Sequence, residues 1–144
     1  MNISLSVWPV EATLFPIMLK IESITIYRVE IPLVYPFRTA YGSDNAVGSV
    51  LVRLDSGNHY GWGESQPFRY PTYSPEYSAG VLLTISEVLG QQILGQDIPT
   101  GEALQTTLSC FKGNFFAKAA LDMAWWDLFA KKRGEPLWQV IGGQ

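Results

Sequence analysis

The chain has 144 residues, enough for one domain with a hydrophobic core of its own. Its formal net charge of −3 argues against a protein that binds the phosphate backbone of nucleic acid, because such proteins are usually basic. The single cysteine excludes an intrachain disulfide and fits a cytoplasmic location, and no apolar run approaches the roughly 20 residues that a membrane-spanning helix needs.

The first 17 residues fit none of the patterns that follow. Pro9 and Pro16 interrupt any helix, and no Lys or Arg precedes Lys20, so the basic region of a signal peptide is missing. We therefore predict that residues 1–17 are a poorly ordered N-terminal extension. The alternative is an extra edge strand or a partner-binding arm.

Three segments with strand-like sequences come next. Residues 19–31 are rich in β-branched side chains, residues 49–55 form a second such run, and residues 60–64 form a short third run. The segment between the first two, residues 34–46, is long enough to predict a loop. A turn at residues 56–59 connects the last two runs, so the sequence predicts a three-stranded antiparallel meander.

Three helices are predicted after the strands. Ser74 is placed to cap the first helix, with Pro75 at its first position, and Thr100 begins the second. The third and longest helix begins after Asn114 and ends at Gly134. Its broad apolar face consists of Ala117, Ala120, Leu121, Ala124, Trp125, Leu128 and Phe129. Strands followed by helices indicate an α+β fold with the helices on one face of the sheet.

The residues by themselves support no complete active site. The only histidine, His59, lies in a predicted turn, so a catalytic triad has almost no support. Asp122 and Asp127 are five positions apart on the long helix and point about 140° away from each other, so they do not form a metal-binding pair. Lys118 precedes Asp122 by four positions, and we expect these two side chains to pair.

Two aromatic segments flank the predicted sheet and are the candidates for a binding site. The first carries Phe37 and Arg38, and the second carries Phe68, Arg69 and Tyr73. In one interpretation these rings only pack against the sheet. In the other they form a lid, in which the rings contact an apolar part of a substrate and the arginines bind a carboxylate.

Three separate motifs resemble one known family. They are residues 36–42 (PFRTAYG), residues 61–64 (GWGE) with 73–77 (YSPEY), and residues 111–124 (FKGNFFAKAALDMA). In this order and spacing they are similar to the N-terminal capping domain of the enolase superfamily. The resemblance runs from about Met18 to the end of the chain. It is greatest to the o-succinylbenzoate synthase and N-acylamino acid racemase group within the muconate-lactonizing subgroup.

The resemblance implies a domain organisation and a chemistry. Residues 18–134 are expected to form the cap, and residues 135–144 to begin the linker to a (β/α) barrel that is missing from this chain. In the family, a barrel lysine removes a proton alpha to a carboxylate, and a divalent metal, usually Mg²⁺, stabilises the ene-diolate. None of these barrel residues can be placed here, so we expect the 144 residues alone to be inactive.

The resemblance also implies roles for the two aromatic segments. Phe37, Phe68 and Tyr73 are expected to line the acyl or succinyl side of the substrate pocket, with Arg38 and Arg69 as further candidates. The intact protein would be a homo-oligomeric lyase or isomerase that acts on a small carboxylate, without nucleic-acid or membrane partners. The alternatives are the cap of a dipeptide epimerase or muconate cycloisomerase, and, from another class, a free-standing, non-catalytic binding module.

The long helix gains a second role from this resemblance. One side of it is expected to lie under the sheet, while its tryptophan-rich remainder faces the missing barrel. Some of the rings among Trp125 or Trp126, Phe129 and Trp138 should therefore be unusually exposed.

Overall fold

The computed structural model describes residues 17–40 and 42–144, so residues 1–16 of the predicted extension and Tyr41 lie outside the described residues. Strands come first and helices follow, which confirms the predicted α+β fold. The elements are β1 (Ser23–Thr39), β2 (Gly42–Ser56), β3 (His59–Ser65), α1 (Ser78–Thr84), a π-helical turn (Ile85–Leu89), α2 (Gly90–Ile93), α3 (Gly101–Ser109), α4 (Phe115–Arg133) and α5 (Leu137–Val140).

The three strands form the predicted antiparallel meander in the order β1-β2-β3. Ser23 pairs with Asp55 at one end of β1 and β2, and Ser56 pairs with His59 across the turn before β3. Gly57 in that turn has a φ of 58°, a conformation that glycine adopts without steric penalty. The turn prediction is therefore confirmed.

The first two strands are longer than predicted. The expected loop at residues 34–46 is instead part of a hairpin arm, which we define as residues 33–40 and 42–48. Pairing loses its register between Pro32 and Phe37 and then resumes, with Phe37 opposite Asp44. The loop prediction is wrong because proline interrupts a ladder locally by removing one N–H donor, and strands can pair again beyond it.

The first helix starts later than predicted. Tyr77 is its N-cap residue, and α1 begins at Ser78. Ser74 Oγ donates to the Glu76 carbonyl oxygen at 2.9 Å, so this hydroxyl closes a local turn and does not cap the helix. The buried apolar side chains of α1, the π-helical turn and α2 fall every four residues, at Val81, Ile85, Leu89 and Ile93.

The predicted apolar face of α4 is confirmed. Phe129 is half-buried, and the other six members are fully buried: Ala117, Ala120, Leu121, Ala124, Trp125 and Leu128. Gly134, with a φ of 66°, ends the helix as expected. Asn114 precedes the helix, but its side chain donates to the Lys112 carbonyl and makes no capping bond. Among the described residues, no helix combines the length and apolar character needed to cross a membrane.

Two glycines on β3 allow α4 to approach the sheet. A Cβ atom at Gly61 would lie 2.1 Å from the carbonyl oxygen of Ala124, and one at Gly63 would lie 1.9 Å from that of Ala120. These distances are far inside van der Waals contact. Any side chain at either position therefore forces the strand and the helix apart.

Replacing Gly63 with alanine should strongly destabilise the fold, because the new methyl group would overlap the backbone of α4. We expect the free energy of unfolding to fall by about 3 kcal/mol or more, measured by urea denaturation. Gly48→Ala is the matched control, since a Cβ atom there meets no described atom within 4 Å. Its effect should stay within about 0.5 kcal/mol, and equal losses in both variants would contradict the close contact.

Candidate functional site

A cleft of about 770 Å³ separates the hairpin arm from the chain that follows β3. One wall belongs to β1 and β2, and the other begins at Gln66, the first residue of what we call the 66–77 segment. This volume is in the range of small-molecule sites in proteins. The cleft is therefore the candidate binding site of the described chain.

The structure brings three of the five predicted site residues to this cleft. Phe37 lines it from the arm, and Phe68 and Arg69 line it from the 66–77 segment. The ring of Tyr73 packs edge to face against that of Phe68, with centroids 5.8 Å apart, so Tyr73 supports the wall from behind. Arg38 follows Phe37 on the same strand and is therefore directed to the opposite face of the arm.

The sheet does not fully cover the aromatic rings of the site. Phe37 is 57% exposed, Phe68 is 40% exposed and Tyr73 is 72% exposed. Rings that only packed against the sheet would be largely covered, so the exposed fractions of Phe37 and Tyr73 favour the interpretation as a lid. Their apolar surface is available to a ligand or to a covering domain.

Sequence reasoning missed the charged residues of β1 that line the cleft. Ile24 and Ile26 face the helices and pack against the core. Because side chains alternate along a strand, Arg28 and Glu30 lie on that same face, beyond the end of the helical layer, and they line the cleft. The sequence did contain a signal for this placement, because Arg28 and Glu30 continue the two-residue spacing of Ile24 and Ile26. Asp44 of β2 adds another carboxylate to the lining.

The described residues contain no group of three His, Cys, Asp or Glu side chains that could hold a metal ion. Asp127 accepts hydrogen bonds from the Trp62 N–H and from Lys131 Nζ, each at 2.7 Å, so its carboxylate joins α4 to β3. Asp122 lies on another side of α4, beside Gln105 of α3. The described residues therefore supply no set of ligands for the Mg²⁺ of the family, and the resemblance assigns those ligands to the barrel.

The predicted pair of Lys118 and Asp122 is wrong. Lys118 Nζ donates to the Phe111 carbonyl oxygen, because the lysine reaches back across the turn that precedes α4. Asp122 Oδ1 is enclosed and accepts no hydrogen bond from the described part of the chain. Burial raises the pKa of Asp122 above its ordinary value, and the amide of Gln105 lowers it by a smaller amount.

A second apolar surface lies near the end of the chain. Trp138 is about half exposed, which confirms the expectation of an unusually exposed ring, and Leu137 and Ile141 beside it are exposed too. Trp125 was also named as a candidate, but it is fully buried, and its Nε1–H donates to the Ile98 carbonyl at 3.1 Å. Trp126 is half-buried and, like Phe129, packs against Trp125.

Known proteins with similar sequences match most of this chain. Residues 21–142 match the family described as mandelate racemase / muconate lactonizing enzyme, N-terminal domain. The chain is 41% identical over 125 residues to the N-succinylamino acid racemase of Thermus thermophilus, covering 87% of this chain and 34% of that protein. It is 31% identical over 127 residues to the o-succinylbenzoate synthase of Bacillus subtilis, covering 88% and 34% respectively.

A solved structure agrees with these relatives. The chain matches the substrate-liganded L-Ala-D/L-Glu epimerase of Bacillus subtilis with a TM-score of 0.78 and 34% identity. That match covers 87% of this chain and 35% of the epimerase. The chain thus spans about a third of the length of the relatives that it matches.

Asparagine at position 122 should make the fold more stable at neutral pH. The pKa of Asp122 is raised in the folded chain above its ordinary value of 3.8, so the folded state binds the proton more tightly. The stabilisation that comes from protonated Asp122 is fully present below about pH 3.8 and is lost as the pH rises through the pKa of the folded state. Asp122→Asn removes this loss, and its melting temperature at pH 7 should exceed that of the unmodified chain.

Thermal unfolding at a series of pH values tests this expectation. The matched control is Asp127→Asn, which weakens the bonds to Trp62 and Lys131 and should lower the melting temperature at pH 7. If Asp122→Asn and the unmodified chain have the same pH profile, burial of the Asp122 carboxylate does not limit stability.

Proposed function

The chain belongs to the family of mandelate racemase / muconate lactonizing enzyme N-terminal domains in the enolase superfamily, and we propose that it is the capping and substrate-specificity domain of one of its enzymes. The enzyme would be an o-succinylbenzoate synthase or N-acylamino acid racemase-like lyase or isomerase. The observation that carries this proposal is the cleft between the hairpin arm and the 66–77 segment, whose rings are exposed.

In this proposal the two walls of the cleft recognise different parts of a small carboxylate substrate. Phe37 and Phe68 contact its acyl or succinyl side, and Tyr73 supports Phe68. Arg69 and Arg28 supply positive charge for a carboxylate. Arg38 is the weakest of the original candidates, because it lies on the other face of the arm.

The chemistry itself belongs to a second domain in this proposal. The cap comprises residues 18–134, residues 1–17 are an N-terminal extension, and residues 135–144 lead toward a C-terminal (β/α) barrel. The barrel would supply the proton-abstracting lysine and the ligands for Mg²⁺, since the described residues offer no such cluster. The exposed rings around Trp138 would then be covered by that domain. We further propose a cytoplasmic homo-oligomer.

Three other candidates are each favoured by one observation. A dipeptide epimerase is favoured by the 34% identity to the Bacillus subtilis epimerase, and a muconate cycloisomerase by the family match. These enzymes would share the cap and differ in how their aromatic segments fit the substrate. A free-standing binding module is favoured by the core, which is built around α4 within this chain.

The isolated 144-residue chain should show no Mg²⁺-dependent racemisation of N-succinylamino acids and no formation of o-succinylbenzoate, because its described residues hold no metal cluster. Its exposed apolar surface near Trp138 should bind a hydrophobic dye. Measurable turnover by the purified chain would contradict this. A monodisperse chain that unfolds cooperatively and binds no dye would favour the binding module.

A chimera tests the proposed specificity role directly. Residues 18–144 would replace the matching third of the Thermus thermophilus racemase, and we expect an active enzyme. In the chimera, Phe68→Ala should raise KM for N-succinylamino acids by about tenfold, since it removes one apolar wall of the cleft. Tyr27→Ala is the matched control, because Tyr27 is similarly exposed, at 43%, on the opposite face of the sheet.

The two readouts separate the possible failures. A folded chimera without activity would contradict the proposed family function. An active chimera in which Phe68→Ala and Tyr27→Ala have the same KM would contradict the role of the cleft.

A further inference from the structure

We propose that Glu76 is a positioning residue, whose carboxylate caps helix α4 and thereby holds the 66–77 segment, with Phe68, at the wall of the cleft. This inference rests on the proposed function only in one respect: the position of Phe68 matters to a substrate if the cleft binds one. The contact itself is a property of the described chain.

Helix α4 has no cap from its own N-terminal residues. Asn114 occupies the N-cap position with φ 56° and ψ 42°, which is the left-handed region, whereas a capping side chain normally acts from an extended backbone. Its side-chain amide donates to the Lys112 carbonyl oxygen at 2.9 Å instead. The first turn of α4 also contains no acidic residue, so neither its free N–H groups nor its positive dipole end has a local partner.

Glu76 supplies both missing features from 40 residues earlier in the chain. The Phe116 N–H, in the first turn of α4, donates to Glu76 Oε2 at 2.9 Å, in a partly buried position. A carboxylate that accepts from a helix N-terminus makes a charge-assisted hydrogen bond and also meets the positive end of the dipole. The bond is therefore stronger than an ordinary link between a loop and a helix.

The same residue lies one position before the end of the 66–77 segment, which carries the ring wall. Ser74 Oγ donates to the Glu76 carbonyl oxygen at 2.9 Å, and the Ser78 N–H donates to the Phe68 carbonyl oxygen at 3.1 Å. The first bond closes a turn within the segment, and the second joins Phe68 to the first residue of α1, while the rings of Phe68 and Tyr73 pack against each other. The segment is thus tied to α1 at Phe68 and to α4 through the Glu76 side chain, so we expect loss of the Glu76 contact to let Phe68 move.

Hydrogen exchange of backbone amides in the whole chain tests the proposal. In Glu76→Ala we expect the Phe116 amide and the Ser78 amide each to exchange about tenfold faster than in the unmodified chain. Glu76→Gln should keep part of the protection, because its amide oxygen still accepts from the Phe116 N–H but carries no charge. The matched control is Thr100→Ala, which removes a cap of the same kind, from the Ala103 N–H to Thr100 Oγ1 at 3.1 Å, on helix α3.

The outcomes are distinct. Faster exchange at Ser78 in Glu76→Ala but not in Thr100→Ala supports the proposal. It is overturned if Glu76→Ala affects only the Phe116 amide, if Thr100→Ala loosens Ser78 to the same extent, or if Glu76→Gln loses as much protection as Glu76→Ala. None of these readouts needs a substrate, so their failure leaves the proposed specificity role intact. Conversely, an inactive chimera would contradict the proposed specificity role without contradicting the contact between Glu76 and α4.

Discussion

The contact between strand β3 and helix α4 is the constraint on which the rest of the structure depends. The helix backbone passes so close to the strand that only glycine fits at positions 61 and 63. On the helix side of the contact, α4 has alanines at positions 117, 120 and 124, whose small side chains also allow a close approach. Asp127 then accepts from the N–H of Trp62, between the two glycines, so the spacing is held by a hydrogen bond as well as by packing.

This contact determines where the candidate site lies. Once α4 is set against β3, its N-terminus stands beside the 66–77 segment, and Glu76 can reach the Phe116 amide. The helical layer covers β1 only as far as Ile26 on its inner face, so Arg28 and Glu30 pass beyond it and border a cleft. The cleft is thus a consequence of strands that are longer than the helices packed on them. Its walls come from separate segments of the sequence, and the contact between β3 and α4 holds those segments in place.

The cleft and the region around Trp138 both leave apolar surface uncovered. Both surfaces are compatible with a cap whose function requires another domain. The positions of the carboxylates on α4 are compatible with it too. Asp127 is used to join α4 to β3, and Asp122 is enclosed beside Gln105. Asp127 therefore serves helix position, and the acidic residues of the long helix do not gather into a metal centre among the described residues.

The sequence by itself determined the α+β layout, the apolar face of α4, the helix start at Thr100, the helix end at Gly134 and the family, because these depend on local periodicity, turn chemistry and short motifs. Only the tertiary structure decided that the arm pairs again beyond Pro32, that Ser74 closes a turn, and that Glu76 caps a helix 40 residues away. The Glu76 contact depends on a partner distant along the chain, and the other two depend on which nearby group the folded backbone presents. A hydroxyl or carboxylate can satisfy several donors or acceptors equally well, and packing selects which one it meets.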